Sequence, residues 1–222
     1  MILLTRPIAS SIEDASFLAS LKIDNFIEPL MNIKPLQFII AEHKFDLLVA
    51  TSKHSIEIFS SYADKNTPIA VPGESSAAIA KKFGFMNVLS ANNNAISLVE
   101  FIKNHFNKNT NILVLRGEDI HLNVKECLNE IGYSACELVV YKAILAKNFS
   151  DKLIHLLQSN TIKSVALYSR RTAQIFLELM RAHELKTDGL IFYVLSDNIA
   201  SILLDACISP NKIKIGYLHE IL

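Results

Sequence analysis

Cysteine is scarce in this sequence. Cys127, Cys136 and Cys207 form no C-x-x-C pair and leave an odd thiol. No disulfide framework is expected, and a reducing, cytoplasmic setting is. An excess of either charge is also missing. The 22 basic and 22 acidic residues give a formal net charge of zero, which argues against a broad nucleic-acid-binding surface but leaves room for a local basic pocket. No apolar run approaches the ~20 residues of a membrane span. The start, MILLTRPIAS, lacks a basic region ahead of a long apolar segment, so no signal peptide is expected. Low-complexity tracts and Gly/Ser linkers are missing too. The seven histidines (His43, His54, His105, His121, His155, His183 and His219) are scattered. With no H-E-x-x-H or paired spacing they suggest no metal, and most read as surface residues. No G-x-G-x-x-G follows a strand and no G-x-x-x-x-G-K-[ST] occurs, so a nucleotide-binding regulator ranks last among the possible functions.

What is present is an ordinary globular composition. Half of the 222 residues are hydrophobic, enough for one large domain or two small ones. Short apolar runs alternate with helical periodicity. ILLT (2–5) reads as a buried strand, and Ser10 with Glu13 reads as a capping box opening a helix to about Leu21. The segment DNFIEPLMNIKPLQF, with Pro29 and Pro35, reads as an extended crossing or edge strand. Strand–helix pairs then begin at DLLVA (46–50), IAV (69–71), NVLS and NILVL (111–115), with a polar ANNNA loop after NVLS. CELVVYKAILA (136–146) is rich in β formers. Further pairs follow at SVALY and LIFYVL, and KIKIGYL ends the series. This alternation predicts parallel sheets in an α/β protein.

One unit occurs twice. LLVATSKHSIEIF (47–59) and SVALYSRRTAQIF (164–176) align without a gap: Ser52 with Ser169, Lys53-His54 with Arg170-Arg171, Ser55 with Thr172, Phe59 with Phe176. Downstream, VPGESSAAI (71–79) aligns with VLSDNIASI (194–202). A third unit, NILVLRGEDI, finds its counterpart at the N-terminus, with Arg6 over Arg116. The reading that reconciles these is two similar parallel-sheet α/β domains, one inserted into the other. The first combines residues 1–27 and 148–222, and the second spans 39–137. Segments 28–38 and 138–147 form a two-stranded crossing. The alternative is one doubly wound domain with chance similarity among its βα units.

The place of the repeated motif points to function. Ligands of open parallel sheets gather beyond the carboxyl ends of the strands. TSKH and YSRR both sit where a strand ends and a helix begins, where unpaired N–H groups and the helix dipole favour an anion. Ser52 and Ser169 cap their helices or donate to a carboxylate. Ser76 follows Gly73 in the same kind of turn, where a missing side chain lets a ligand approach the backbone. With Arg6, Lys53, Arg116, Arg170 and Arg171 these describe a cleft for a multiply anionic ligand. They do not describe a nucleophile with its base.

Several of these segments, in this order and spacing, resemble uroporphyrinogen-III synthase over nearly the whole chain. They are ILLTRP, DLLVATSKHSIEIF, AVPGESSAAIAKKFGF, ILVLRGEDIHLNVKECLNEIGY, CELVVYKAI, VALYSRRTAQIF and YVLSDNIASIL. The resemblance implies a hydro-lyase of haem biosynthesis. It would close hydroxymethylbilane, a linear tetrapyrrole, to uroporphyrinogen III with inversion of ring D and loss of water. It implies no cofactor and no metal, a monomer, no membrane or nucleic acid, and at most transient contact with the upstream hydroxymethylbilane synthase. It also implies that main-chain amides hold much of the ligand. Tyr141 matches the family's cleft tyrosine, placed to assist departure of the hydroxyl; a phenol titrating near ~10 donates well and is a poor base at neutral pH. Thr51, Ser52, Ser76 and Ser169 match cleft hydroxyls, and Gly117 lies beside Arg116 in the middle unit. Tyr168, Ser196, Ile199 and His121 depart from the family pattern, Ile199 standing for a cleft threonine. The reading from another class is a non-catalytic two-lobe protein that clamps an anionic metabolite.

Overall fold

The computed structural model describes residues 1–40, 44–91 and 94–222; His43 and the centre of the ANNNA loop lie outside the described residues. Strands and helices alternate along the chain. The strands are β1 (Ile2–Leu4), β2 (Asn25–Ile27), β3 (Met31–Pro35), β4 (Leu47–Ala50), β5 (Ile69–Val71), β6 (Val88–Ser90), β7 (Asn111–Gly117), β8 (Ser134–Leu145), β9 (Ser164–Leu167), β10 (Ile191–Val194) and β11 (Ile213–Ile215). Between them run α1 (Ile8–Ser20), α2 (Lys53–Phe59), α3 (Glu74–Lys82), α4 (Ala95–His105), α5 (Val124–Glu130), α6 (Asp151–Gln158), α7 (Arg170–Ala182) and α8 (Asp197–Asp205), with α9 (Leu218–Ile221) last. Among the described residues no helix is long and apolar enough to cross a membrane.

The strands form two sheets, ordered β11-β10-β9-β1-β2 and β3-β8-β7-β4-β5-β6. Contacts divide the chain into two compact units, Met1–Asn32 with Ile144–Leu222, and Ile33–Ala143. The α/β expectation with parallel sheets holds: β1 pairs in parallel with β2 and β9, and β4 with β5 and β7. A parallel sheet must be covered on both faces, which is why its strands are apolar runs rather than alternating ones. β1, β4, β5 and β9 are buried at every position. Successive side chains of a strand point to opposite faces, and the cores divide accordingly. In the second sheet Leu48, Ala50, Leu113 and Leu115 pack with residues of α2 and α3, while Leu47, Val49, Ile112 and Val114 pack with residues of α4 and α5. In the first, Leu3, Val165 and Leu167 pack with residues of α6, α7 and α8, and Ile2, Leu4 and Ala166 pack with Leu18 of α1.

One local expectation is corrected. α1 begins at Ile8, with Pro7 at its N-cap, so Ser10 and Glu13 lie inside the first turns and form no capping box. Proline already sets the backbone angle a helix start requires, and Ser11 uses its hydroxyl on the Arg6 carbonyl at 2.9 Å. The segment with Pro29 and Pro35 supplies edge strands, one of the two readings its prolines allowed: β2 is an edge of the first sheet and β3 an edge of the second.

Glycine is too rare here to end every helix. Gly84 and Gly132 close α3 and α5 in the left-handed conformation, as expected. Lys22, Asn160, Glu184 and Cys207 take the same conformation behind α1, α6, α7 and α8. Each is followed by an N–H that bonds back to a carbonyl of the helix's last turn, as Leu185 N–H does to Met180 O at 2.8 Å. A side chain at positive φ costs free energy that glycine avoids, less glycine's larger entropy loss on folding. Lys22→Gly and Glu184→Gly are therefore each expected to raise unfolding free energy by up to ~1 kcal/mol. Urea denaturation checks this, and an unchanged or lowered midpoint would contradict it.

Candidate functional site

In a doubly wound sheet the ligand crevice opens where successive connections leave neighbouring strands on opposite faces. In the second unit that point lies between β4 and β7. The chain leaves β4 into α2, on one face, and leaves β7 toward α5, on the other. Thr51, Ser52 and Gly117 stand at these two strand ends, and Tyr141 stands on β8 beside β7.

These residues meet. The Tyr141 hydroxyl lies 3.0 Å from Ser52 Oγ. Ser52 is the N-cap of α2 and accepts the Ser55 N–H at 3.2 Å, so capping and contact with the phenol coexist on one oxygen. Thr51 is anchored across the sheet: its N–H and its hydroxyl both donate to the Leu115 carbonyl, at 3.1 and 3.3 Å. A register shift between Arg116 and Gly117 leaves Val140 as the extra residue of β8, so that Gly117 pairs with Tyr141. The phenol then lies over the glycine. A Cβ at Gly117 would come within 2.6 Å of Tyr141 Cζ and 2.8 Å of its hydroxyl. Glycine is required here for space, and nothing in the sequence showed this. His54 joins the group unannounced: its ring stands edge-on to Tyr141 at 5.8 Å, and Nδ1 is 3.3 Å from Glu57. The available signal was its place in the repeated motif, two residues past Ser52.

Other expected residues are placed differently. Gly73 is the N-cap of α3, but its backbone is extended, a conformation any residue adopts; Ser76 lies in that first turn and its N–H donates to the Gly73 carbonyl at 3.0 Å. Arg116 is occupied by its own unit. It makes a two-pronged bond to Glu137, at 2.9 and 3.0 Å, and its Nη1 donates to the carbonyls of Gly117 and Glu118. Hydrogen bonding and charge between the partners raise the Arg116 pKa and lower that of Glu137. Its work is to brace the strand ends that carry Gly117 and Tyr141, and that leaves few donors for a ligand. Lys53 is half-buried at the first position of α2.

The first unit has a corresponding edge. Ser169 caps α7 in a reciprocal box with Thr172. Arg170 donates to the Asn198 carbonyl at 2.9 Å and to Ser201 Oγ at 3.3 Å, while Arg171 is half-buried on the same turn. Arg6 follows β1, with Nη1 3.4 Å from Asp14. Ile199 is only 4% exposed and packs in the core; it is a packing residue and not a cleft contact. Ser196 begins α8 without a side-chain cap, and His121 is exposed.

The family model described as Uroporphyrinogen-III synthase HemD matches residues 15–212. The uroporphyrinogen-III synthetase structure from Helicobacter pylori is similar to this chain at 17% identity and a TM-score of 0.66, covering 98% of this chain and 94% of that one. A mutant uroporphyrinogen III synthase from the extremely thermophilic bacterium Thermus thermophilus is similar at 12% identity and a TM-score of 0.58, covering 98% and 93%. At such identities the structures show a shared fold and no more. No curated protein matches the chain.

The Arg116–Glu137 pair predicts a pH dependence. A carboxylate whose pKa is lowered by folding contributes stability above its unfolded value near ~4.3 and loses it as pH falls through the folded value. The stability gap between wild type and Glu137→Gln should therefore narrow steadily on acidification below about pH 4. Thermal melts across that range test it, and a constant gap would show that the pair contributes through packing alone.

Proposed function

From the premise that the chain belongs to the uroporphyrinogen-III synthase family, cyclising hydro-lyases of tetrapyrrole biosynthesis, we propose the part its residues play. The observation that carries the reading is the Tyr141 hydroxyl held 3.0 Å from Ser52, over Gly117, at the switch point of the second sheet. The substrate, hydroxymethylbilane, must lose its terminal hydroxyl before the far ring attacks and ring D inverts. Tyr141 donates a hydrogen bond or proton to that departing group. Ser52 fixes the direction of the phenol, because its own oxygen is pinned by the helix start. The Gly117 carbonyl is tied to Arg116, and the neighbouring N–H of Glu118 holds the Tyr141 carbonyl at 2.9 Å, so the ring's backbone is fixed as well.

The carboxylates are taken up at helix starts, where N–H groups in the first turn point outward and the dipole favours negative charge. α2, α3 and α7 offer such starts, through Thr51, Ser52, Lys53, Gly73, Ser76, Ser169, Arg170 and Arg171. Arg6 adds a cation in the first unit. We take the compact units to be similar α/β domains, the second inserted in the first through strands β3 and β8, with boundaries near residues 27, 39, 137 and 148. The chemistry is chiefly one of holding the two ends of a flexible chain together, which by itself lowers a cyclisation barrier steeply. We also read the enzyme as a monomer of the cytoplasm that needs no cofactor, with the upstream synthase at most a transient partner.

Fresh hydroxymethylbilane, followed by separation of the product isomers, tests this. Type I forms without enzyme, so the protein is expected to yield an excess of type III; an unchanged ratio would leave only a binding protein. Tyr141→Phe should slow type III formation by about 10²-fold with secondary structure intact. Gly117→Ala should produce a comparable loss, because the added methyl displaces the same ring. Full activity in Tyr141→Phe would remove that residue from the mechanism.

A further inference from the structure

The first sheet has a switch point of its own, between β1 and β9. The chain leaves β1 into α1, whose Leu18 packs on one face, and leaves β9 into α7, whose residues pack on the other. The parallel register sets Leu4 beside Ala166. Two residues further on, past the strand ends, stand Arg6 and Tyr168. The Arg6 guanidinium carbon sits 4.4 Å above the centre of the Tyr168 ring. The Tyr168 hydroxyl donates to Asp14 Oδ2 at 2.7 Å, and Arg6 Nη1 reaches both Asp14 oxygens at 3.4 Å.

We propose that Tyr168 is a positioning residue that holds Arg6 to receive a substrate carboxylate. It acts from two sides. Its ring supports the flat face of the guanidinium, and its hydroxyl engages Asp14 on the shorter bond, so that the carboxylate is shared rather than closed onto the arginine. The Arg6 bonds to Asp14 are long, both 3.4 Å, and its side chain is 25% exposed, so the guanidinium edge stays within reach of a ligand. A guanidinium so braced loses little freedom on binding, and its planar pair of N–H groups matches a carboxylate. The inference rests on the carboxylate-binding role proposed for Arg6. It adds two residues, Tyr168 and Asp14, that touch no ligand themselves.

The test is a double-mutant cycle read by binding, with uroporphyrin III as the polycarboxylate probe and its fluorescence as the signal. Arg6→Ala and Tyr168→Leu should each weaken the probe's Kd about 10-fold, the size of one charge-assisted contact. The double variant should be no weaker than about the same 10-fold, because Tyr168 acts only through Arg6. Tyr168→Phe keeps the ring and should lose about 3-fold. In steady-state assays KM for hydroxymethylbilane should rise while kcat stays within about 2-fold. Losses that multiply to about 100-fold in the double variant would overturn the proposal, as would an Arg6→Ala protein that binds like wild type. Should Tyr168→Leu fail to fold, Asp14→Asn and Tyr168→Phe, each combined with Arg6→Ala, give the same decision. A wild type that makes type III product but fails these tests leaves the enzymatic reading standing and removes only this one.

Discussion

Two strand pairs, β1 with β9 and β4 with β7, impose most of the geometry at both sheet edges. Each is a parallel pair whose outgoing connections pack on opposite faces of its sheet. Strand ends that the connections do not cover are where a ligand can reach backbone donors. Parallel pairing also fixes register, because slipping by one residue would turn every buried side chain to the other face. The side-by-side position of Arg6 and Tyr168, and that of Thr51 and Leu115, therefore follow from the apolar order of ILL, SVAL, LLVA and ILVL. Core burial thus fixes the positions of polar residues such as Arg6 and Thr51 that lie just past the strand ends.

That dependence explains which features were legible. Continuous apolar runs bounded by Ser or Gly located the strands, and the helices behind TSKH and YSRR begin at their serines, as the repeat suggested. The family, too, was readable from the order of short segments, since most of them run from a strand into the turn after it. Contacts governed by local chemistry are visible in local sequence.

Contacts closed by the fold are not. Glu137 stands twenty-one positions from Arg116 and meets it only because β7 and β8 pair; counted alone, Arg116 looked like a cation awaiting a ligand. Gly117 was read as a substrate contact beside Arg116, and its closeness to Tyr141 came only from the shifted register. Position 199, named as a departure from the family pattern, shows the converse case. An isoleucine on the inner side of α8 can bury itself where a polar residue would not, and it does. Helix ends misled in the same way: proline replaced the expected capping box, and lysine or glutamate stood where glycine is easiest.

Each sheet has a tyrosine near its switch point, and the surroundings of the two differ. Tyr168 is half-buried against Arg6 and bonded to the Asp14 carboxylate, and partial burial together with that negative charge pushes its phenol well above the ordinary range. A phenol so placed keeps its proton, because losing it would set two anions 2.7 Å apart. It can orient a neighbour but has no proton to give. Tyr141 is paired instead with Ser52, a neutral hydroxyl that can accept from the phenol or donate to it. Reversing that bond costs no separation of charge. The second setting suits the donor role proposed for Tyr141, and the first suits the positioning role proposed for Tyr168. The two sheets thus set one phenol on a neutral hydroxyl and the other on a carboxylate, and the difference between them lies in whether the partner is serine or aspartate.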